Sequence, residues 1–246
     1  MLVLLALPHV IGAQLALPAK GSRVVSVSLF GKEPKFIRYL ASIEHSVHEL
    51  FGDDWEFRVY TNVPWRTLRT AGLTGNRTRI MRAPADVPNP RAWRFMPGID
   101  PTVSVFLSRD TDNELIARDR DAVFDWLNNS TRDCHVMRDH PKHGTEIMGG
   151  MWGFRNAGPY RKHFEHLIYD PHNKRKQDDQ RALSRHLWPH VKCLAHDAYL
   201  CGRYKDAEWR PFPTQRDAEG HFIGGAWTIN ISCPVHCRKH PDWTYC

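Results

Sequence analysis

Apolar and polar positions along this chain change period repeatedly, and the changes mark out alternating strands and helices. Residues 24–29 (Val-Val-Ser-Val-Ser-Leu) predict a strand, and residues 34–51 carry apolar side chains at the spacing of an amphipathic helix. Residues 55–60 predict a second strand, 65–71 a short helix and 78–82 a third strand. A proline-rich passage over 83–101 leads into an apolar, β-branched run at 103–109. Beyond it, 117–127 predicts a helix, 134–137 a short strand, 147–154 a glycine-rich strand, and 160–169 and 177–187 two helices. The remainder reads as loop, broken by Pro211, Pro213 and Pro234. Strand–helix–strand alternation of this kind predicts an α/β fold, a mostly parallel sheet with helices on both faces. Nothing between 21 and 230 has the composition of a linker, so this stretch reads as one domain, with a cysteine-rich tail at 231–246.

The run at 103–109 ends abruptly in Asp110-Thr111-Asp112. Alternate residues of a strand face the same way, so both carboxylates can point to one side of its carboxyl end. Paired carboxylate oxygens are hard ligands suited to Mg²⁺ or Mn²⁺. Ligands of open α/β sheets bind beyond the carboxyl ends of the strands, where this pair falls. The bland alternative is a pair that solvates a turn or caps the following helix.

Composition adds a compartment. Net charge is +7 with 15 histidines counted neutral, which suits anionic partners without choosing among them. Basic residues are scattered apart from Lys174-Arg175-Lys176, so no extended nucleic-acid face is expected. Residues 1–20 open with an apolar stretch of signal-peptide length, too short to span a bilayer, that lacks a preceding basic residue. It reads as a signal-like segment or the remnant of an anchor, through which the protein could associate with a membrane; a buried first strand is the rival. Sequons at Asn76, Asn128, Asn129 and Asn230 permit N-glycosylation in a lumen. Of six cysteines, Cys201, Cys233, Cys237 and Cys246 lie in the last fifth of the chain. They are expected to form disulfides in an oxidising compartment rather than to bind zinc with His236 or His240. Cys134 and Cys193 are left as either a further pair or buried thiols. A Golgi-lumenal or secreted protein is therefore expected.

The order of these pieces resembles GT-A type, nucleotide-sugar-dependent glycosyltransferases. It rests on a Rossmann-like first half ending in Arg109-Asp-Thr-Asp112, then Met148-Gly-Gly-Met-Trp152, then Asp178-Asp-Gln180 opening a helix, and a closing His221-Phe-Ile-Gly-Gly-Ala-Trp227. The chain looks distantly similar to the family of glycogenin and the lipopolysaccharide galactosyltransferases. It looks closer to glycosyltransferase-like proteins with Ser-Arg-Asp-x-Asp and His-x-Met-Arg-Asp-His-Pro-x-His, here Ser108–Asp112 and residues 135–143.

That resemblance implies a metal-dependent transferase moving a hexose from a nucleotide sugar, UDP-linked, to a glycan, protein or lipid acceptor. It implies Mn²⁺ or Mg²⁺ on Asp110 and Asp112, with a histidine added from the C-terminal part, His221 or His196. Leu29 and Phe30 would hold the nucleobase and Arg94, with Arg91 as rival, a phosphate. Gly149 and Gly150 would let a sugar approach the backbone, Trp152 would stack on a sugar face, and 138–143 would shape the donor pocket. Asp179, in preference to Asp178, would stand beside the reacting sugar. Capping of the helix that they open would explain either carboxylate without catalysis. Whether the chemistry inverts or retains stays open. Two other classes compete: a secreted carbohydrate-binding protein of the same fold that has lost catalysis, and a metal-dependent phosphohydrolase. The second would want further clustered carboxylates, which the sequence lacks, and no Gly-x-Ser-x-Gly or P-loop is present.

Overall fold

The computed structural model describes residues 21–31, 34–73, 75–156, 158–205 and 207–246. The signal-like segment at 1–20 lies outside them. Eight strands form one sheet in the order β3-β2-β1-β4-β6-β5-β7-β8. These are β1 (Ser22–Leu29), β2 (Trp55–Thr61), β3 (Thr78–Arg82), β4 (Val103–Arg109), β5 (Cys134–Arg138), β6 (Met151–Arg155), β7 (Cys193–Asp197) and β8 (Glu208–Arg210). All neighbours are parallel except β6, which runs against both β4 and β5.

Helix α1 (Pro34–Phe51) starts on a proline, whose fixed φ and missing N–H suit a first helical position. Its Leu40, Ile43, Val47 and Phe51 pack with Val25, Val27, Val105 and Leu107 of the sheet, joined by Val123 and Trp126 of α3 (Ala117–Asn129). A second core covers the other face, where Val24, Phe106, Trp152 and Phe154 meet Phe164 of α4 (Arg161–Ile168) and Leu183 of α5 (Asp178–His186). Consecutive strand residues such as Phe106 and Leu107 therefore enter opposite cores, the helix-on-both-faces arrangement that a parallel sheet requires. A four-residue helix, α2 (Trp65–Leu68), runs into a 3₁₀ turn at Arg69–Ala71.

From β1 the chain moves outward through β2 to β3, then returns to lay β4 on the other side of β1. Strand order reverses there, opening a crevice between the carboxyl ends of β1 and β4. The proline-rich passage winds into 3₁₀ turns at Pro90–Ile99, with the Asn89 side chain accepting from the Arg91 N–H at 3.1 Å. It spans the floor of that crevice.

Three departures from expectation have local causes. The glycine-rich strand begins only at Met151, because Gly149 and Gly150 lie in the turn that feeds it. β7 has no apolar run to announce it; its polar residues are buried against partners, Asp197 on Arg138 at 3.0 Å and His196 on His135 at 2.8 Å. β8 is a three-residue edge strand, below the length at which alternation shows.

The six cysteines pair as Cys134–Cys193, Cys201–Cys237 and Cys233–Cys246. The first joins residues directly opposite in the β5–β7 register. The other two bind the tail to the body, where Cys233, Cys237 and Cys246 are buried with Met137, Met151, Phe212 and Ile223. Asp139 fastens the same region. It is fully buried, accepts both Arg118 Nε and Nη2 at 2.9 Å, and takes Arg216 Nη2 at 2.8 Å and the Ile223 N–H at 3.1 Å. Burial opposes its charge, but the two guanidiniums outweigh it and hold its pKa below the usual carboxylate value. Arg118 also donates to the Thr214 and Cys246 carbonyls. No described helix is long and apolar enough to cross a membrane.

Candidate active site

The β1–β4 crevice holds a cavity of about 370 Å³. β1 supplies Ser28 and, just past its end, Phe30; the 3₁₀ segment supplies Arg91 and Arg94. Asp110 and Asp112 come from the end of β4, Gly149 and Gly150 from the turn before β6, and Asp179 from the first turn of α5. Segments as far apart in sequence as Ser28 and Asp179 thus meet around one space, as the strand order dictates.

Arg94 is the centre of this arrangement. Its guanidinium is almost wholly buried and bridges two carboxylates, with Nη1 on Asp110 and Nη2 on Asp179 Oδ2 at 2.8 Å. Its backbone N–H donates to Ser28 Oγ at 2.8 Å, which ties the 3₁₀ segment to β1. Burial works against the charge of Arg94, but Asp110 and Asp179 more than offset it and raise its pKa. The predicted phosphate ligand therefore lines the cavity with both edges of its fork already occupied by carboxylates. Arg91 and Lys176 line the same space, and neither side chain forms an ion pair with a described residue. Arg91 lies over the Phe30 ring at 5.1 Å.

Asp112 is solvent-accessible at the rim, and no described Arg, Lys or His forms an ion pair with it. The surrounding protein and then the adjacent Asp110 push its carboxyl above the usual carboxylate value. Two neighbouring carboxylates, of which Asp110 is ion-paired to Arg94 and Asp112 is not, offer hard oxygen donors that match a divalent cation. These residues fit a Mn²⁺ or Mg²⁺ ion.

The two glycines serve the charged residues. A Cβ on Gly150 would collide with the Asp110 carboxylate, and one on Gly149 would collide with Arg94 Nη2 and come within 2.7 Å of Asp179 Oδ2. The space expected for an approaching sugar is thus filled by the side chains of the site. The Gly149 carbonyl is fixed by Ser108 Oγ at 2.6 Å and Trp152 Nε1 at 3.2 Å. The residue before α5, Gln177, adopts φ +73°, an uncommon conformation for a side-chain-bearing residue, and it too lines the cavity. This bend delivers Asp179 to Arg94.

Five assignments change on this geometry. Trp152 cannot stack on a sugar: it is fully buried among Phe95, Phe106, Phe154 and Phe164, with ring centroids 5.3–6.5 Å apart. Leu29 points into the α1 core, leaving Ser28 and Phe30 as the β1 residues that face the cavity. His196 is buried away from the Asp pair, between His135 and Asp125, the latter at 3.2 Å. Burial lowers its pKa despite the opposing pull of Asp125. Asp178 spends its carboxylate on the backbone of Lys174 and Arg175, at 3.2 and 2.8 Å, and on Arg181 at 2.7 Å, which makes it a loop-fastening residue. His221 is exposed and does not line the cavity; its Nδ1 meets Asp217 at 2.9 Å, with Glu219 close by.

The 138–143 segment, expected to shape the donor pocket, contributes no residue to the cavity lining. His143 is held by the Asp139 N–H, donated to its Nδ1 at 3.2 Å, and lies within electrostatic reach of Asp110. Burial, then neighbouring His140, pushes its pKa down to about 4, so it is neutral near pH 7. Phe222 packs on His140 and His143 with centroids 4.8 and 5.8 Å away, which brings the closing segment beside these histidines. Ser28, Lys176 and Gln177 carried no sequence motif. Only the reversal of strand order identifies the first, and only the path of the loop into α5 the others.

No protein-family model matches the chain, and no match is found among curated proteins. Glycosyltransferases are among the solved structures of similar shape. One is a glycosyltransferase involved in glycosylation of the major capsid of PBCV-1, 14% identical, with 72% of this chain matching 82% of that one at a TM-score of 0.47. Another is residues 1–349 of S. aureus TarS, 11% identical, with 68% of this chain covering 55% of that one at a TM-score of 0.44. A third is the galactosyltransferase LgtC in complex with donor and acceptor sugar analogues, 16% identical over 65% of this chain and 70% of that one, at a TM-score of 0.41. At this identity and overlap they carry no weight for function, which is argued below from the residues of this chain.

Proposed function

We propose that the protein is a metal-dependent glycosyltransferase that transfers a hexose from a nucleotide sugar, UDP-linked, to a hydroxyl of a glycan, protein or lipid. The observation that carries this reading is the convergence, at one strand-order reversal, of the Asp110–Asp112 pair, whose Asp112 forms no ion pair with a described residue, and a separate buried carboxylate, Asp179. One acidic group suits a diphosphate-bound cation, and the other suits the sugar that the diphosphate leaves. A site for nucleotide alone would have no need of Asp179.

Each residue then has a task. Phe30, at the mouth of β1, offers an apolar edge for the base. Arg91 and Lys176, which form no ion pair with a described residue, would face the diphosphate, where a cationic side chain forms charge-assisted bonds to phosphate oxygens. Asp110 and Asp112 would hold Mn²⁺ or Mg²⁺, which when bound would neutralise the leaving diphosphate. Asp179, fixed by Arg94 and by the bend at Gln177, stands where it can accept the acceptor proton or stabilise positive charge on the sugar. The histidine that would complete a metal shell is not chosen by this geometry.

Three disulfides, and exposed sequon asparagines at 76, 128, 129 and 230, support a Golgi-lumenal or secreted location. The binding-only alternative has no need of the Asp pair that stands in the cavity. The test is turnover of a panel of nucleotide sugars with Mn²⁺ and mixed acceptors. Consumption of one donor that stops on chelation is expected. A folded, UDP-binding protein that consumes no donor with any acceptor would favour the binding protein.

A further inference from the structure

Arg94 is placed oddly for a residue whose only task is to greet a phosphate. It is 6% exposed, both ends of its fork are taken by carboxylates, and its Nε has no hydrogen-bond partner among the described residues. One of those carboxylates, Asp110, belongs to the pair that fits a divalent cation; the other, Asp179, does not.

Resting on the reading of Asp110 and Asp112 as the cation site, we infer that Arg94 is an internal counter-ion that competes with the metal for Asp110. Asp179 is the anchor that keeps Arg94 in place when the metal displaces it. The physical basis is charge. A guanidinium touching Asp110 already neutralises one of the two negative charges a divalent cation needs, and it repels that cation at short range. At contact distance such repulsion amounts to several-fold to many-fold in affinity. The second carboxylate resolves the conflict. With Nη2 held by Asp179, Arg94 can yield Asp110 without becoming an unpaired buried charge, a state that would be costly. The glycines enforce the arrangement, since a side chain at 149 or 150 would evict Arg94 or Asp110. Arg94 is thus a positioning residue that couples metal occupancy to the setting of Asp179.

The sign of this coupling can be measured without turnover. Free Mn²⁺ would be titrated with protein and followed by its paramagnetic resonance signal, with no nucleotide present. Arg94→Met keeps the apolar stem, removes the competing charge, and is expected to tighten Mn²⁺ binding by about tenfold or more. Arg94→Lys keeps the charge and is expected to stay within about threefold of the wild type. Because Arg94→Met leaves Asp179 buried without a partner and could unfold the protein, Asp179→Asn provides an independent arm. It removes the anchor's negative charge, leaves Arg94 wholly to Asp110, and is expected to weaken Mn²⁺ binding several-fold. Unchanged or weaker binding in a folded Arg94→Met protein, or unchanged binding in Asp179→Asn, overturns the inference. A wild-type protein that takes up no Mn²⁺, with or without UDP, overturns instead the cation site on which it rests.

Discussion

Asp179→Asn, assayed at saturating Mn²⁺ and donor, is expected to lower transfer by at least about a hundredfold, the scale of losing a positioned acid–base group. Nucleotide binding under the same conditions is expected to change little, because the groups facing base and phosphates come from β1, the 3₁₀ segment and the Asp pair. Asparagine retains a hydrogen bond to Arg94 while removing the charge, so stability is expected to fall less than in an alanine variant. Deleting one partner of a buried ion pair outright costs about 3–5 kcal/mol. Turnover beside a thermal melt separates the two roles. A variant that melts lower yet turns over normally would return Asp179 to a structural part.

Gly150→Ala is expected to be nearly as damaging, although it adds one methyl group. That methyl lands on the Asp110 carboxylate, so Asp110 must turn away and lose both Arg94 and its place beside Asp112. Mn²⁺-dependent UDP affinity is expected to fall by at least about tenfold, the scale of losing one charged ligand interaction. Gly144→Ala is the control, because a Cβ there meets nothing closer than the Lys142 carbonyl at 4.0 Å. Equal affinity in the two variants would mean that Asp110 does not need the space over Gly150.

The sheet and its helices were largely legible in the chain because their signals are local. The 103–109 run, the amphipathic 34–51 helix and the 78–82 strand each declare their period within a few residues, and all three appear in place. β7 was illegible because its burial is supported by ion pairs and histidine contacts with β5, partners some 60 residues away. The candidate site divides in the same way. Asp110 and Asp112 could be picked out by their position at a strand end, and Asp179 by its place at the start of a helix. Trp152 misled because an aromatic beside glycines looks accessible, whereas strand alternation turns it into the Phe106–Phe164 cluster. Asp178 and Asp179 are adjacent and chemically identical. Only the helix geometry sends one to Arg94 and the other to a loop backbone.

The cation-dependent nucleotide site is the centre of the account, and calorimetric titration of UDP into the wild-type protein and into Asp112→Asn, each with and without Mn²⁺, tests it most directly. Asp112 forms no ion pair with the described residues, so its replacement leaves every described salt bridge of the fold in place. The wild type is expected to bind UDP with an affinity that Mn²⁺ raises by at least about tenfold, and Asp112→Asn is expected to melt as the wild type does while losing that enhancement. Equal UDP affinity in the two proteins, with the same response to Mn²⁺, would contradict the account.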